Sequence, residues 1–199
     1  MKKEIRLLDV AFTVEDKSGT AVFTGKPIVY NRNSDDLGFI ERISPGAATD
    51  AIKRSDIRLA YGHNTETLLP LARTASGTMT VVDGPDGVSI EASAPNTQFA
   101  KDLAESIRRG DVSQMSFAFT VADGGDFWEK RDGKHFRTIT KLDEIYDFSF
   151  VAYPAYPDTT AAMRSLDKAK TSATAGAGDA TVAENEDIDM QLLLQNYEV

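Results

Sequence analysis

Cysteine is absent from the chain. That excludes a disulfide framework, a thiolate nucleophile and a cysteine-based metal site, and it is in keeping with a cytosolic life. Histidine is nearly absent too: His63 and His135 are the only two, so few side chains are available as a general base near neutrality. No apolar run approaches the roughly 20 residues needed to span a bilayer. Met1-Lys2-Lys3 is basic, but Glu4 and Arg6 then interrupt any apolar stretch, which is not the pattern of a signal peptide. Positive charge is in short supply: Lys and Arg total 22 against 31 Asp and Glu, a net charge of -9. Such a surface repels phosphate backbones, so no nucleic acid partner is expected. Internal repeats are also missing. What remains is a chain of 199 residues with 41% hydrophobic and 9% aromatic content, enough for one globular domain and some extra length.

Residues 4–14 mix charged and apolar side chains and run into the turn cluster Glu15-Asp16-Lys17-Ser18-Gly19, after which Val22 to Tyr30 reads as a strand; this predicts a hairpin or meander. A polar loop over 31–38 leads to Phe39-Ile40-Glu41-Arg42-Ile43, and Ser44-Pro45 signals a short helix over 47–52. Residues 56–61 read as a strand ending at Gly62-His63-Asn64. Three more strands are expected over 68–75, 77–83 and 87–94, with Asp83-Gly84-Pro85-Asp86-Gly87 as a turn. The strongest helical signal comes next: Asn96 as cap, Phe99, Ala100, Leu103, Ala104 and Ile107 on one face, and Gly110 as the stop. A hairpin is expected across Asp132-Gly133-Lys134, with His135 exposed beside its turn. The last strand spans 144–153, with Tyr146, Phe148 and Phe150 on one face and Ile145, Asp147, Ser149 and Val151 on the other. Asp158 to Leu166 suits a short helix, and the Ala/Thr/Gly-rich stretch from 167 suits a flexible acidic linker and tail.

Three residues stand out. In Ser113 to Val121, the bulky Met115, Phe117, Phe119 and Val121 alternate with Ser116, Ala118 and Thr120, which puts Ser116 on a rigid strand away from the large side chains. It is either a nucleophile or a small residue beneath a neighbouring strand. His63 sits where a strand gives way to a loop, a place for displayed functional groups or for a surface histidine bonded to local backbone. Asp147 is a carboxylate in mid-strand among aromatics, which is disfavoured unless it faces water on an edge strand or has a buried partner.

Phe39 to Ala47, Tyr61-Gly62-His63-Asn64, Gln114 to Phe119 and Asp147 to Pro157 together resemble, in order and spacing, the prohead proteases of tailed phages. These are capsid-maturation serine proteases related in fold to herpesvirus assemblin. The resemblance covers roughly residues 4–166. It implies a mostly β, α+β fold: an assemblin-like closed β-barrel flanked by helices, with a protease domain over 1–166 and a tail over 167–199. It implies a serine endopeptidase with Ser116 as nucleophile, His63 as base and Asp147 as orienting acid, without cofactor or metal. Many relatives carry glutamate where Asp147 stands, and the family motif Met-Ser-Phe-Gly-Phe has Ala118 here in place of glycine. Implied partners are the major capsid protein or scaffold as substrate, cut at scaffold or delta segments, and a second copy in a homodimer. The place of action would be the prohead in the bacterial host cytoplasm, from a phage or prophage. The tail from Lys168 to Val199 would be a site of self-cleavage or a dock to the shell. Two other readings are an inactive capsid or scaffolding component with the same fold, and a β-barrel binding module using His63 and Asp147 as metal ligands. The second falls short of ligands, with one histidine and one aspartate.

Overall fold

The computed structural model describes residues 2–8, 10 and 12–152. Among these residues twelve strands and two helices occur in the order β1 (Glu4–Leu8), β2 (Phe12–Lys17), β3 (Thr20–Val29), β4 (Ile40–Ile43), α1 (Thr49–Arg54), β5 (Arg58–Tyr61), β6 (Ala72–Arg73), β7 (Met79–Gly84), β8 (Gly87–Ser93), α2 (Gln98–Arg109), β9 (Gln114–Val121), β10 (Asp126–Arg131), β11 (Lys134–Ile139) and β12 (Leu142–Val151). The fold is α+β and mostly β, as expected. Among the described residues the strands form three open sheets, ordered β1-β9-β12-β5-β6, β10-β11-β4 and β2-β3-β8-β7, and no closed barrel of hydrogen-bonded strands is found. The helix expected over 158–166 and the tail from 167 lie outside the described residues.

The five-stranded sheet carries the site. In it β9 is antiparallel to β1 on one side and to β12 on the other, and β12 in turn runs parallel to β5. Along β9 the alternation places Met115, Phe117 and Phe119 in the main hydrophobic core, where Phe148 and Phe150 of β12 join them. The rings of Phe12 and Phe23 lie 5.0 and 5.2 Å from that of Phe150, which knits the β2-β3 hairpin to the five-stranded sheet. The opposite face of β9 is buried as well: Ser116 and Ala118 are fully covered and Thr120 nearly so. The expectation of a face without bulk over Ser116 is corrected here: Ser116 is fully buried, and the His63 ring from the turn after β5 lies against its hydroxyl.

β12 departs from simple alternation. Its register on β9 passes from Ile145 opposite Phe119 to Asp147 opposite Ala118, leaving Tyr146 unpaired in a bulge. The extra residue reverses the phase, so Ile145, not Tyr146, shares the core with Phe148 and Phe150. Tyr146 instead stands beneath the Lys3 ammonium, 5.1 Å from the ring centre.

Four further differences from the sequence reading have local causes. Residues 4–14 split into β1 and β2, which pair in different sheets, β1 with β9 and β2 with β3. α1 starts at Thr49 with Ala48 as its uncapped N-cap, because Ala47 first closes a turn onto the Ser44 carbonyl. Thr97 rather than Asn96 caps α2, its hydroxyl accepting from the Ala100 amide at 3.3 Å. Of the strand expected over 68–75 only β6 pairs, across Arg58 and Leu59; Pro70, just before it, has no N–H to offer a ladder.

β1 is anchored by a buried cluster of charge. Arg6 bonds Glu41 at 2.6 and 2.8 Å and Glu4 at 2.6 Å. Arg137 of β11 bonds Glu4 at 2.7 and 3.0 Å, Glu41 at 2.9 Å and Asp126 at 2.6 Å. Burial alone would push the Glu4 carboxyl up and the Arg137 guanidinium down; their mutual hydrogen bonds and charges, with those of Arg6, Glu41 and Asp126, win and hold both ionised.

Candidate active site

Ser116, Asp147 and His63 are brought to one place by adjacent strands of the same sheet. On β9 Ser116 lies in register with Ser149 of β12, two residues beyond Asp147, so hydroxyl and carboxylate project from neighbouring strands on one face. His63 arrives from β5, the strand on the other side of β12, through a tight turn. Gly62 and His63 both adopt left-handed backbone conformations, with φ of 63° and 57°. For a non-glycine residue such a conformation is unfavourable by about 1–2 kcal/mol, and hydrogen bonds hold it in place. Gly62 N–H donates to the Phe150 carbonyl at 2.9 Å and His63 N–H to Ser149 Oγ at 3.1 Å.

Both imidazole nitrogens are engaged. His63 Nε2 lies 2.6 Å from Ser116 Oγ, and Nδ1 lies 2.6 Å from Asp147 Oδ1. With Asp147 ionised, Nδ1 carries the ring proton and Nε2 is left to accept from the serine hydroxyl. Ser116 Oγ is also 2.9 Å from the Arg6 carbonyl of β1, so its single proton has two acceptors in reach. Ser149 Oγ donates to Asp147 Oδ1 at 2.7 Å. Asp147 Oδ2 accepts no hydrogen bond among the described residues, and the Lys3 ammonium stands 3.6 Å away. Burial alone would push the Asp147 carboxyl up; the His63 hydrogen bond and charge, the Ser149 hydroxyl and Lys3 outweigh it and hold it below the usual carboxylate range.

All three residues singled out from the sequence therefore meet. Asp147 is not on an edge strand facing water: it is fully buried on β12, with β9 on one side and β5 on the other. His135 stays apart, opposite Lys130 in the β10–β11 hairpin, and is half-buried rather than exposed. The sequence reading missed Ser149, Lys3 and the Arg6 carbonyl as neighbours of the site. Ser149 shares the parity of Asp147 and was legible in that sense; nothing local marks the other two. Among the described residues no group of three or more His, Asp or Glu side chains is placed to hold a metal ion. No helix among them is long and apolar enough to cross a membrane.

A buried carboxylate, an imidazole and a hydroxyl in series are the parts of a hydrolase that works through a serine nucleophile. The model of the family described as caudovirus prohead serine protease matches residues 9–173, and the chain belongs to that family. The solved structure of the bacteriophage T4 capsid assembly protease, gp21, matches with a TM-score of 0.50 over 77% of this chain and 100% of that one. Identity is 9%, so the likeness is one of fold. No curated protein matches in sequence.

Proposed function

We propose that this chain is a serine endopeptidase in which Ser116 attacks the peptide carbonyl, His63 is the general base and acid, and Asp147 orients it. His63 Nε2 takes the hydroxyl proton as Oγ forms its bond to carbon, then delivers that proton to the leaving amine. Water repeats the sequence to release the acyl group. Asp147 keeps the proton of the neutral ring on Nδ1 and stabilises the imidazolium formed at each step. The observation that carries this reading is the pair of 2.6 Å contacts, one from each ring nitrogen, to a hydroxyl and to a buried carboxylate.

The substrate class comes from the family and from the structural neighbour's name, a capsid assembly protease. It is a capsid or scaffold protein of a tailed phage, cut inside the prohead in the bacterial host. The tail from Lys168 is a second substrate, removed by the chain itself. The test is labelling with a fluorophosphonate. Wild-type protein should be labelled at Ser116, while Ser116→Ala is not labelled and His63→Ala reacts thousands-fold more slowly or worse. Labelling nowhere would favour a capsid component that keeps the fold without the activity. Mass spectrometry decides the tail: if it stays intact in wild type as it does in Ser116→Ala, self-trimming is wrong.

A further inference from the structure

We infer that Ser149 is a positioning residue of this site, joining the backbone of His63 to the carboxylate that holds the His63 ring. The inference rests on the roles proposed for Ser116, His63 and Asp147, and adds a fourth side chain to them. Ser149 is fully buried, and its hydroxyl has one proton to give and lone pairs to receive. It gives that proton to Asp147 Oδ1 at 2.7 Å and receives the His63 N–H at 3.1 Å. Packing alone would be served by alanine, as at Ala118 on β9 and at Ala60, the neighbour of Ser149 on β5.

The hydroxyl is needed because of how His63 leaves the sheet. It does so in a left-handed turn, so its amide does not continue the β5–β12 ladder and bonds a side chain instead. That side chain also touches the oxygen that accepts from Nδ1. Backbone and ring of one histidine are thus tied to a single hydroxyl–carboxylate pair, which fixes both where the ring starts and where it points. The bond to Oδ1 also lowers the proton affinity of the Asp147 carboxyl. Other charged or titratable groups stand around that carboxylate. Lys3 reaches Oδ2 from the segment before β1. On β5, Arg58 is the register partner of Asp147, but its guanidinium bonds Asp56. On β12 itself, Tyr146 and Glu144 lie just upstream. β9 presents only Ala118 at this position. None of these replaces the Ser149 bond to Oδ1.

The experiment compares wild type, Ser149→Ala and Ser149→Cys by the rate of inactivation with a fluorophosphonate across pH, with thermal melting alongside and Ser116→Ala as control. For Ser149→Ala the saturating rate should fall about 10- to 100-fold, with the half-saturating concentration unchanged, since misplacement of a reacting group acts on the chemical step. The acid limb of the pH profile should move to higher pH, because the Asp147 carboxylate, stripped of one donor, takes up a proton more readily. Ser149→Cys fills the same space with a weak donor and should move the limb the same way; it also stands in if the alanine variant does not fold. A wild-type rate and profile in either folded variant overturns the inference, as does a loss of rate that tracks melting while the acid limb stays put. Labelling that persists in Ser116→Ala would instead sink the reading of the site itself.

Discussion

Replacing Arg137 by methionine removes a buried cation from a cluster whose charges nearly balance. Arg137 is 3% exposed and makes four hydrogen bonds, two to Glu4, one to Glu41 and one to Asp126. Without it Glu4 and Glu41, themselves 6% and 4% exposed, face each other with Arg6 as their one shared cation. Breaking a buried ion pair from one side is destabilising by about 3–5 kcal/mol, chiefly because the remaining charge is stranded. For a domain of this size that lowers the melting temperature by roughly 6–20 °C. Adding Glu4→Gln removes the stranded charge and leaves Arg6 facing Glu41 as a neutral two-bond pair, so the double variant should recover about 1–3 kcal/mol. Urea unfolding of wild type, both single variants and the double variant closes the cycle. An Arg137→Met variant that loses less than about 1 kcal/mol would refute the reasoning, and so would effects that add to within about 0.5 kcal/mol.

Asp147→Asn should slow fluorophosphonate labelling by about 10⁴-fold in protein that still folds, since an amide favours the wrong ring tautomer; a loss below about tenfold would argue against its orienting role. Stability should fall with acid in a defined direction. Glu4 and Asp147 both titrate below their ordinary values of 4.5 and 3.8, so their stabilisation is complete above those values and is lost as pH falls through the lower folded ones. The melting temperature should hold steady above about pH 5 and drop progressively below it; a flat curve down to about pH 2.5 would contradict this. Gly87→Ala should destabilise by at least about 1–3 kcal/mol, because at its φ of 148° a Cβ would sit 2.1 Å from the Ile28 carbonyl oxygen. A urea midpoint equal to wild type would show that the β3–β8 contact gives way more easily than its geometry says.

The parts of the molecule that local pattern controls were readable. The α2 stripe of Ala100, Leu103, Ala104 and Ile107 is buried as its spacing requires, and the β9 alternation sends Met115, Phe117 and Phe119 to the core. What failed depends on partners distant in the chain. Nothing in residues 4–14 says that β1 joins β9 while β2 joins β3. No local signal marks Tyr146 as a bulge, since the extra residue is defined only against β9. The same holds within the site. Ser116, His63 and Asp147 stood out from strand pattern and position, and the resemblance to a family suggested roles for them, whereas Lys3 and the Arg6 carbonyl come from an N-terminal segment with no motif of its own. Ser149 lies between these cases: its face came from parity, but its two hydrogen bonds required the turn at His63.

The β9-β12-β5 order has a consequence for how activity arises. Hydroxyl and carboxylate come from the adjacent strands β9 and β12, so their separation is set by strand spacing, which proteins scarcely vary, and the imidazole is brought in by the turn that follows β5. No loop can be lengthened to retune that separation, and only the Gly62–His63 corner offers local adjustment. A half-formed sheet therefore leaves hydroxyl, carboxylate and imidazole apart, and fluorophosphonate labelling of a newly made chain should begin only once β12 has zipped into place between β9 and β5.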